Sequence, residues 1–457
     1  MSGYNGALVA INLQDATLSG EDLRDKLIQK IEDKAALVGV VGLGYVGLPF
    51  AVEKCKVGFT VVGVEHNPMR KAKIDKGQNY IGDVDDDELR DVVKKGLLTA
   101  ESDFDRFEEL DVIVVCVPTP LTKNLQPDLQ YVESVTKSIA KNLRRGQLIS
   151  LESTTYPGTC EDLMLPILEQ SGLKVGKDFW LAHSPERVDP GNKRYTTKNT
   201  HKVVGGVGPE SLEVAVKFYE QTIQHVVPVS SAKAAELTKV YENTFRAVNI
   251  ALVNELTQLC DRMDLDVWEV LDAAHTKPFG IMPFYPGPGV GGHCIPLDPH
   301  YLAWKAKELN FNTRFINLAG EINRSMPDFT VEKAERVLNK RGIAVSKSKV
   351  LILGAAYKRD VDDVRESPAI ELMKLLQKKG ATVTYHDPFV PEFEDHGFSM
   401  TGVDLTHEAV SSADLVLIAT DHSNVQYDLV LNSAQAILDT RNAMKGLEDP
   451  DGKVTLL

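Results

Sequence analysis

The sequence predicts an α/β fold in which two similar parallel-sheet domains are joined by one long helix. Three observations carry that expectation. The first is a strand, glycine turn, helix and second strand at 36–68, ALVGVVGLGYVGLPFAVEKCKVGFTVVGVEHNP. The second is its recurrence at 348–388, where Gly380 to Asp387 repeats the spacing of Gly58 to Glu65. The third is SAKAAELTKVYENTFRAVNIALVNELTQLCDRM at 231–263, which has no proline or glycine and a helical apolar period.

Taken in order, residues 1–34 read as an N-terminal extension with a short amphipathic helix that Ser19 and Asp22 can cap. Residues 35–229 should form the first α/β domain and 230–335 a helical middle with a loop rich in glycine and proline. Residues 336–457 should form the second α/β domain, where ADLVLIATDH from 413 is the counterpart of DVIVVCVPTP from 111.

The chain has 457 residues, too many for one ordinary core. With 43% hydrophobic and 25% charged residues it reads as a soluble globular protein. Its net charge of -14 argues against a nucleic-acid partner, whose phosphates demand clustered Lys and Arg. Any anionic ligand must meet a local basic site. The five cysteines make no CxxC pair and fit a reducing compartment. The N-terminus lacks the pattern of a signal peptide and VIVVCV has only strand length, so we expect a cytoplasmic protein without a membrane partner.

Gly42, Gly44 and Gly47 follow a strand and open a helix, and Glu65 ends the next strand eighteen residues on. This is the context of a dinucleotide site: glycines let backbone approach a pyrophosphate, and the acid receives ribose hydroxyls. A carboxylate there repels a 2′-phosphate, which favours NAD over NADP. In the second half Gly354 is followed by Tyr357, Lys358, Arg359 and Arg365, either a phosphate site or a solvated charge cluster.

The stretch PGPGVGGHCIPLDP, 286–299, leaves Cys294 open to three readings: nucleophile, metal ligand beside His293, or small residue in a tight turn. No second Cys or His pair stands at a ligand spacing, so no metal is expected. On the long helix Lys239 and Asn243 lie four apart, on one face.

GLGYVGLP, VPTP at 117–120, EST at 152–154, SPER at 184–187, AELTKVYENTFRAVNIALVNE, GGHCIPLDP, YKRDVDDVRESPA and LDTRN at 438–442 together resemble, in order, the UDP-sugar 6-dehydrogenases. The resemblance covers essentially everything after residue 35. It implies two Rossmann-like domains, oxidation of the C6 hydroxyl of a UDP-hexose to the acid with two NAD, and a homodimer or higher homo-oligomer built on the middle region.

It also implies roles for individual residues. Cys294 matches the nucleophile, Lys239 and Asn243 the polar pair of the central helix, and Asp298, Thr119 and Glu186 groups that handle water and protons. Gly42, Gly44, Tyr45, Val46, Gly47, Glu65, Arg70, Pro118, Thr119, Glu152 and Arg365 match the cofactor side. Glu186, Arg187, Lys239, Asn243, Tyr285, Gly289, Gly291, Tyr357, Lys358 and Arg441 match the substrate side. Two departures from the glucose branch, Leu297 where lysine is common and Pro190 where a second glutamate stands, resemble the branch acting on UDP-N-acetylhexosamines. UDP-N-acetylglucosamine is the first expectation and UDP-N-acetylmannosamine a close second. A two-electron hydroxyacid dehydrogenase needs neither Cys294 nor the second α/β domain. A silent nucleotide-sugar sensor has no use for Cys294, Lys239, Asn243 and Asp298 together.

Overall fold

The computed structural model describes residues 17–122, 124–188, 192, 194–292 and 294–457. Pro190, His293 and the first half of the N-terminal extension lie outside the described residues. The chain divides into two compact bodies, one ending at Tyr241 and the other beginning at Glu242.

The first body is built on strands β1 Leu37–Val41, β2 Thr60–Val64, β3 Leu98–Glu101, β4 Val112–Val115, β5 Gln147–Leu151, β6 Phe179–His183, β7 Lys202–Gly206 and β8 Val226–Val229. They form one sheet in the order β3-β2-β1-β4-β5-β6-β7-β8. Neighbours run parallel except β6 and β7, where Ala182 faces Gly206 and His183 faces Gly205 in antiparallel register. Crossover helices cover both faces, which is why β4 and β5 are buried along their whole length and β4 reads VIVV without alternation. The strand order reverses direction between β1 and β4, and α/β sheets bind ligands outside the carboxyl ends of strands at such a point.

Helix Gly20–Glu32 begins with a reciprocal cap: Asp22 N–H donates to Ser19 Oγ at 3.1 Å, and Ser19 N–H donates back to the Asp22 carboxylate at 3.2 Å. Leu23, Leu27 and Ile31, spaced by four, form one apolar stripe that is buried in the same core as Val38, Val40 and Phe218. This helix, read from the sequence as an appendage, is thus an integral part of the first body.

Helix Ala232–Met263 carries the chain from the first body into the second as one element of 32 residues. The second body continues with helices Val267–His275, Asp298–Glu308 and Arg314–Lys340. Its strands are β9 Lys349–Leu353, β10 Thr382–His386, β11 Glu392–Asp395, β12 Phe398–Thr401, β13 Leu415–Ile418, β14 Ile437–Asp439 and β15 Val454–Leu456. Five of them make a parallel sheet in the order β10-β9-β13-β14-β15, with its own reversal between β9 and β13. β11 and β12 form a separate hairpin whose two-residue turn, His396-Gly397, has positive φ at both positions, the backbone that tight hairpins require.

Candidate active site

In the first body the turn after β1 shows why its glycines are spaced as they are. Gly42 has φ +89°, and a Cβ on Gly47 would stand 1.9 Å from Gly42 O, so helix Gly47–Lys56 starts against the turn only with hydrogen there. Gly44 is different: a Cβ there would meet nothing within 4 Å, which leaves an open face of backbone at the helix N-terminus. Tyr45 and Val46 complete this turn. Glu65, buried after β2, accepts from Leu43 N–H at 3.3 Å and Asn67 N–H at 2.9 Å, with Arg70 Nη1 3.9 Å away. An open glycine face beside a fixed carboxylate fits the pyrophosphate and ribose of a dinucleotide.

Past the end of β4, beside Pro118, Thr119 Oγ1 donates to Thr154 O at 2.7 Å. Glu152, the residue after β5, and Glu186 beyond β6 are brought together by a residue that motif reading missed. Lys202, the first residue of β7, donates to Glu152 Oε2 at 2.9 Å and to Glu186 Oε2 at 3.1 Å. Tyr219 Oη donates to Glu152 Oε1 at 2.9 Å. The Glu186 Oε1 accepts from the N–H groups of Arg187 and Val188 at 2.7 and 2.8 Å. Burial pushes Glu152 above the ordinary carboxylate range despite Lys202. Burial works in the same direction on Glu186, yet Lys202 and the two backbone donors outweigh it and hold that carboxyl below its usual value. The guanidinium of Arg187 turns to His201 O at 2.7 Å.

Next to this cluster, Cys160, His183 and Glu236 bring a sulfur, a nitrogen and an oxygen within 4.8 Å of one another. The Glu236 carboxylate is already engaged, accepting from Gly158 N–H and, at 2.9 Å, from Cys160 N–H. Glu236 is therefore an N-terminal cap for the turn that begins at Cys160.

In the second body the glycine loop lies against the C-terminal sheet domain. A Cβ on Gly291 would stand 2.6 Å from Tyr357 Cβ and 2.7 Å from Glu366 O, and one on Gly292 would meet the Tyr357 ring at 2.8 Å. Gly292 N–H donates to Arg365 O at 3.0 Å. At the start of the loop Tyr285 stacks on Trp268 with ring centroids 5.8 Å apart. A Cβ on Gly287 would meet Arg441 Nη1 at 2.6 Å, and one on Gly289 would meet Pro368 at 3.1 Å. Cys294 is half-buried, and its carbonyl accepts from Leu297 N–H at 3.1 Å and Asp298 N–H at 2.9 Å, forming the turn that opens helix Asp298–Glu308. Asp298 is buried in the first turn of that helix and accepts from Asn243 Nδ2 at 2.5 Å. Lys239, one turn before Asn243 on helix Ala232–Met263, belongs to the first body and is buried there.

The second glycine turn differs from the first in how its acid is used. Asp387, the counterpart of Glu65, accepts from Ala355 N–H at 2.7 Å, Ala356 N–H at 2.9 Å and His422 Nε2 at 3.0 Å. A carboxylate so occupied is closed to a ribose. Tyr357 and Lys358 follow this second turn in the chain.

Matches to three adjoining parts of one family decide what this arrangement belongs to. Residues 36–223 match the NAD binding domain of the UDP-glucose/GDP-mannose dehydrogenase family, 233–325 its central domain and 351–446 its UDP binding domain. The chain belongs to that family. It is an NAD-dependent nucleotide-sugar dehydrogenase. This dehydrogenase is 35% identical over 424 residues to the UDP-N-acetyl-D-mannosamine dehydrogenase of Pyrococcus horikoshii, spanning 91% of this chain and 97% of the relative. It is 37% identical over 390 residues to the UDP-N-acetyl-D-glucosamine 6-dehydrogenase of Pseudomonas aeruginosa, spanning 84% and 90%. The solved structure of the Pyrococcus horikoshii protein superposes with a TM-score of 0.83 at 32% identity, covering 92% of this chain and 98% of that one. The α/β architecture with its two parallel sheets is shared with it. Among the described residues, no helix of this dehydrogenase is long and apolar enough to cross a membrane.

Proposed function

We propose that this dehydrogenase oxidises the C6 hydroxyl of a UDP-N-acetylhexosamine to the carboxylate, with UDP-N-acetylglucosamine the preferred sugar and UDP-N-acetylmannosamine or UDP-glucose the alternatives. The observation that carries the reading is the Cys294 turn. A half-buried thiol stands one turn before a helix whose first residue, Asp298, is anchored to Asn243, in a loop threaded against Tyr357. The named relatives act, by their names, on N-acetylated UDP-sugars.

Loss of a proton and a hydride from the C6 alcohol leaves an aldehyde. The Cys294 thiolate adds to it, forming a carbon–sulfur bond and a thiohemiacetal that cannot escape. Loss of a second proton and hydride gives a thioester, and water cleaves its carbon–sulfur bond to release the acid and the thiol. NAD, when bound, supplies the acceptor for each hydride.

Lys239 and Asn243 are the groups we assign to the oxyanion of each tetrahedral species. Asp298 and Thr119 order water, and Glu186 exchanges protons. On the cofactor side we assign Gly42, Gly44, Tyr45, Val46, Gly47, Glu65, Arg70, Pro118, Glu152 and Arg365. On the sugar-nucleotide side we assign Tyr285, Gly289, Gly291, Tyr357, Lys358, Arg441 and Arg187.

NADH yield against UDP-glucose and the N-acetylated gluco, galacto and manno sugars tests this directly. Two NADH and one uronic acid per sugar are expected. One NADH without an acid overturns the four-electron reading, and binding without any NADH favours the silent sensor.

We further propose a homodimer or larger homo-oligomer formed along helix Ala232–Met263. Tyr241, Leu252, Leu259 and Met263 repeat on it at coiled-coil-like intervals and remain exposed, Leu252 at 65%. Light scattering on the wild type and on Leu252→Glu/Leu259→Glu checks this; equal masses overturn it. The five cysteines make no CxxC pair, which supports a reducing, cytoplasmic setting.

A further inference from the structure

The chemistry above leaves Lys202 without a task, although burying an ammonium is costly unless it is paired and hydrogen-bonded. Its place follows from the antiparallel pairing of β6 with β7 in the first sheet. Because His183 faces Gly205, continuing the register brings Lys202 level with Glu186, at the carboxyl edge of β5 and β6. A parallel β7 would have delivered its last residue there, not its first. Lys202 then spans Glu152 and Glu186 at 2.9 and 3.1 Å, with 3% of its side chain exposed.

The two carboxylates are not equivalent. Glu152 is fully enclosed, with Tyr219 and Lys202 on its two oxygens, whereas 16% of the Glu186 side chain reaches solvent. Glu186 Oε1 accepts from two backbone donors and Oε2 from Lys202, so the carboxylate is held at both oxygens. Other titratable groups face this cluster: Lys54 from helix Gly47–Lys56, Cys116 after β4, His183 on β6 and Tyr219 from helix Pro209–Glu220. Lys54 and His183 are both pushed toward neutrality by burial, so the positive charge against the two carboxylates rests on Lys202.

We propose that Lys202 is a positioning residue for the oxidation: its ammonium clamps the Glu152 and Glu186 carboxylates together and so fixes the orientation in which Glu186 exchanges its proton. This rests on the reading that Glu186 exchanges protons during turnover.

The test compares Lys202→Met, Lys202→Arg and Glu186→Gln in the purified enzyme, with NAD and the UDP-sugar it turns over fastest. Lys202→Met is expected to melt cooperatively and to lose about 10²-fold in kcat, the scale of a misplaced acid/base group. KM for the sugar stays within about threefold, as for a group felt only in the transition state. Without the cation Glu186 holds a proton more readily, so the acid limb of the kcat profile moves to higher pH. Lys202→Arg restores most of the rate and the limb. A wild-type rate and limb in Lys202→Met beside an inactive Glu186→Gln overturns the proposal alone. A fully active Glu186→Gln overturns the reading beneath it. Should Lys202→Met fail to fold, Lys202→Met/Glu152→Gln removes one charge of each sign; the same loss of kcat supports the proposal and an unchanged rate overturns it.

Discussion

Asn243 Nδ2 donates to Asp298 Oδ2 at 2.5 Å, and both side chains are buried. One hydrogen bond thereby ties the long helix to the first residue of the helix that follows the Cys294 turn. Asn243→Ala leaves a buried carboxylate without this donor, at a cost of about 1–3 kcal/mol. We expect a lower melting temperature and a kcat reduced by about 10²-fold, comparable to removal of an oxyanion donor. Steady-state kinetics beside a thermal melt check it, and a wild-type kcat would remove Asn243 from the chemistry.

Cys294→Ser keeps the turn, because the two hydrogen bonds that close it use the Cys294 carbonyl. UDP-sugar binding should stay within a few-fold of wild type while acid formation falls by at least about 10³-fold, since a serine hydroxyl is far less ionised than a thiol at neutral pH. Calorimetry and product chromatography separate the two effects. Undiminished acid production would end the nucleophile assignment.

Gly291→Ala places a methyl group 2.6 Å from Tyr357 Cβ and 2.7 Å from Glu366 O, and neither atom is the end of a flexible chain. The loop must move away from Tyr357. A rise in KM for the UDP-sugar of about tenfold or more is expected, with NAD affinity unchanged; the reverse pattern would mean that this loop does not serve the sugar.

His183 is completely buried with no hydrogen-bond partner for either ring nitrogen among the described residues, and burial, aided by Lys202, lowers its pKa to about 3. An unfolded histidine titrates near 6.5, so between pH 6.5 and 3 the unfolded chain takes up a proton that the folded chain refuses. Stability is therefore complete above pH 6.5 and falls by about 1.4 kcal/mol per unit as pH drops through that window. His183→Phe should remove this contribution while leaving stability at pH 8 nearly unchanged. Urea unfolding at pH 5 and pH 8 reads the difference, and an equal pH dependence in both proteins would refute it.

Much of this site is legible in the chain because it depends on local rules. Gly42, Gly44 and Gly47 announce a strand-to-helix turn open to a pyrophosphate, since spacing alone decides which glycine must lack a Cβ. Lys239 and Asn243 share a face because a helix repeats every 3.6 residues. The resemblance in GGHCIPLDP marks Cys294 and Asp298 without any coordinates. Lys202 escaped notice because KVVGG reads as an ordinary strand start, with no motif around it.

By itself, then, the sequence determined the two α/β halves, the long helix between them, the glycine turn after β1 and the cysteine loop, all features encoded by period, spacing and residue type over short distances. Only the tertiary structure decided what the buried charges do. Asp387 sits where Glu65 does in the repeat, yet it is consumed by Ala355, Ala356 and His422, which no spacing reveals. Lys202 meets Glu152 and Glu186 because β7 runs against β6, and strand direction is a property of the whole sheet.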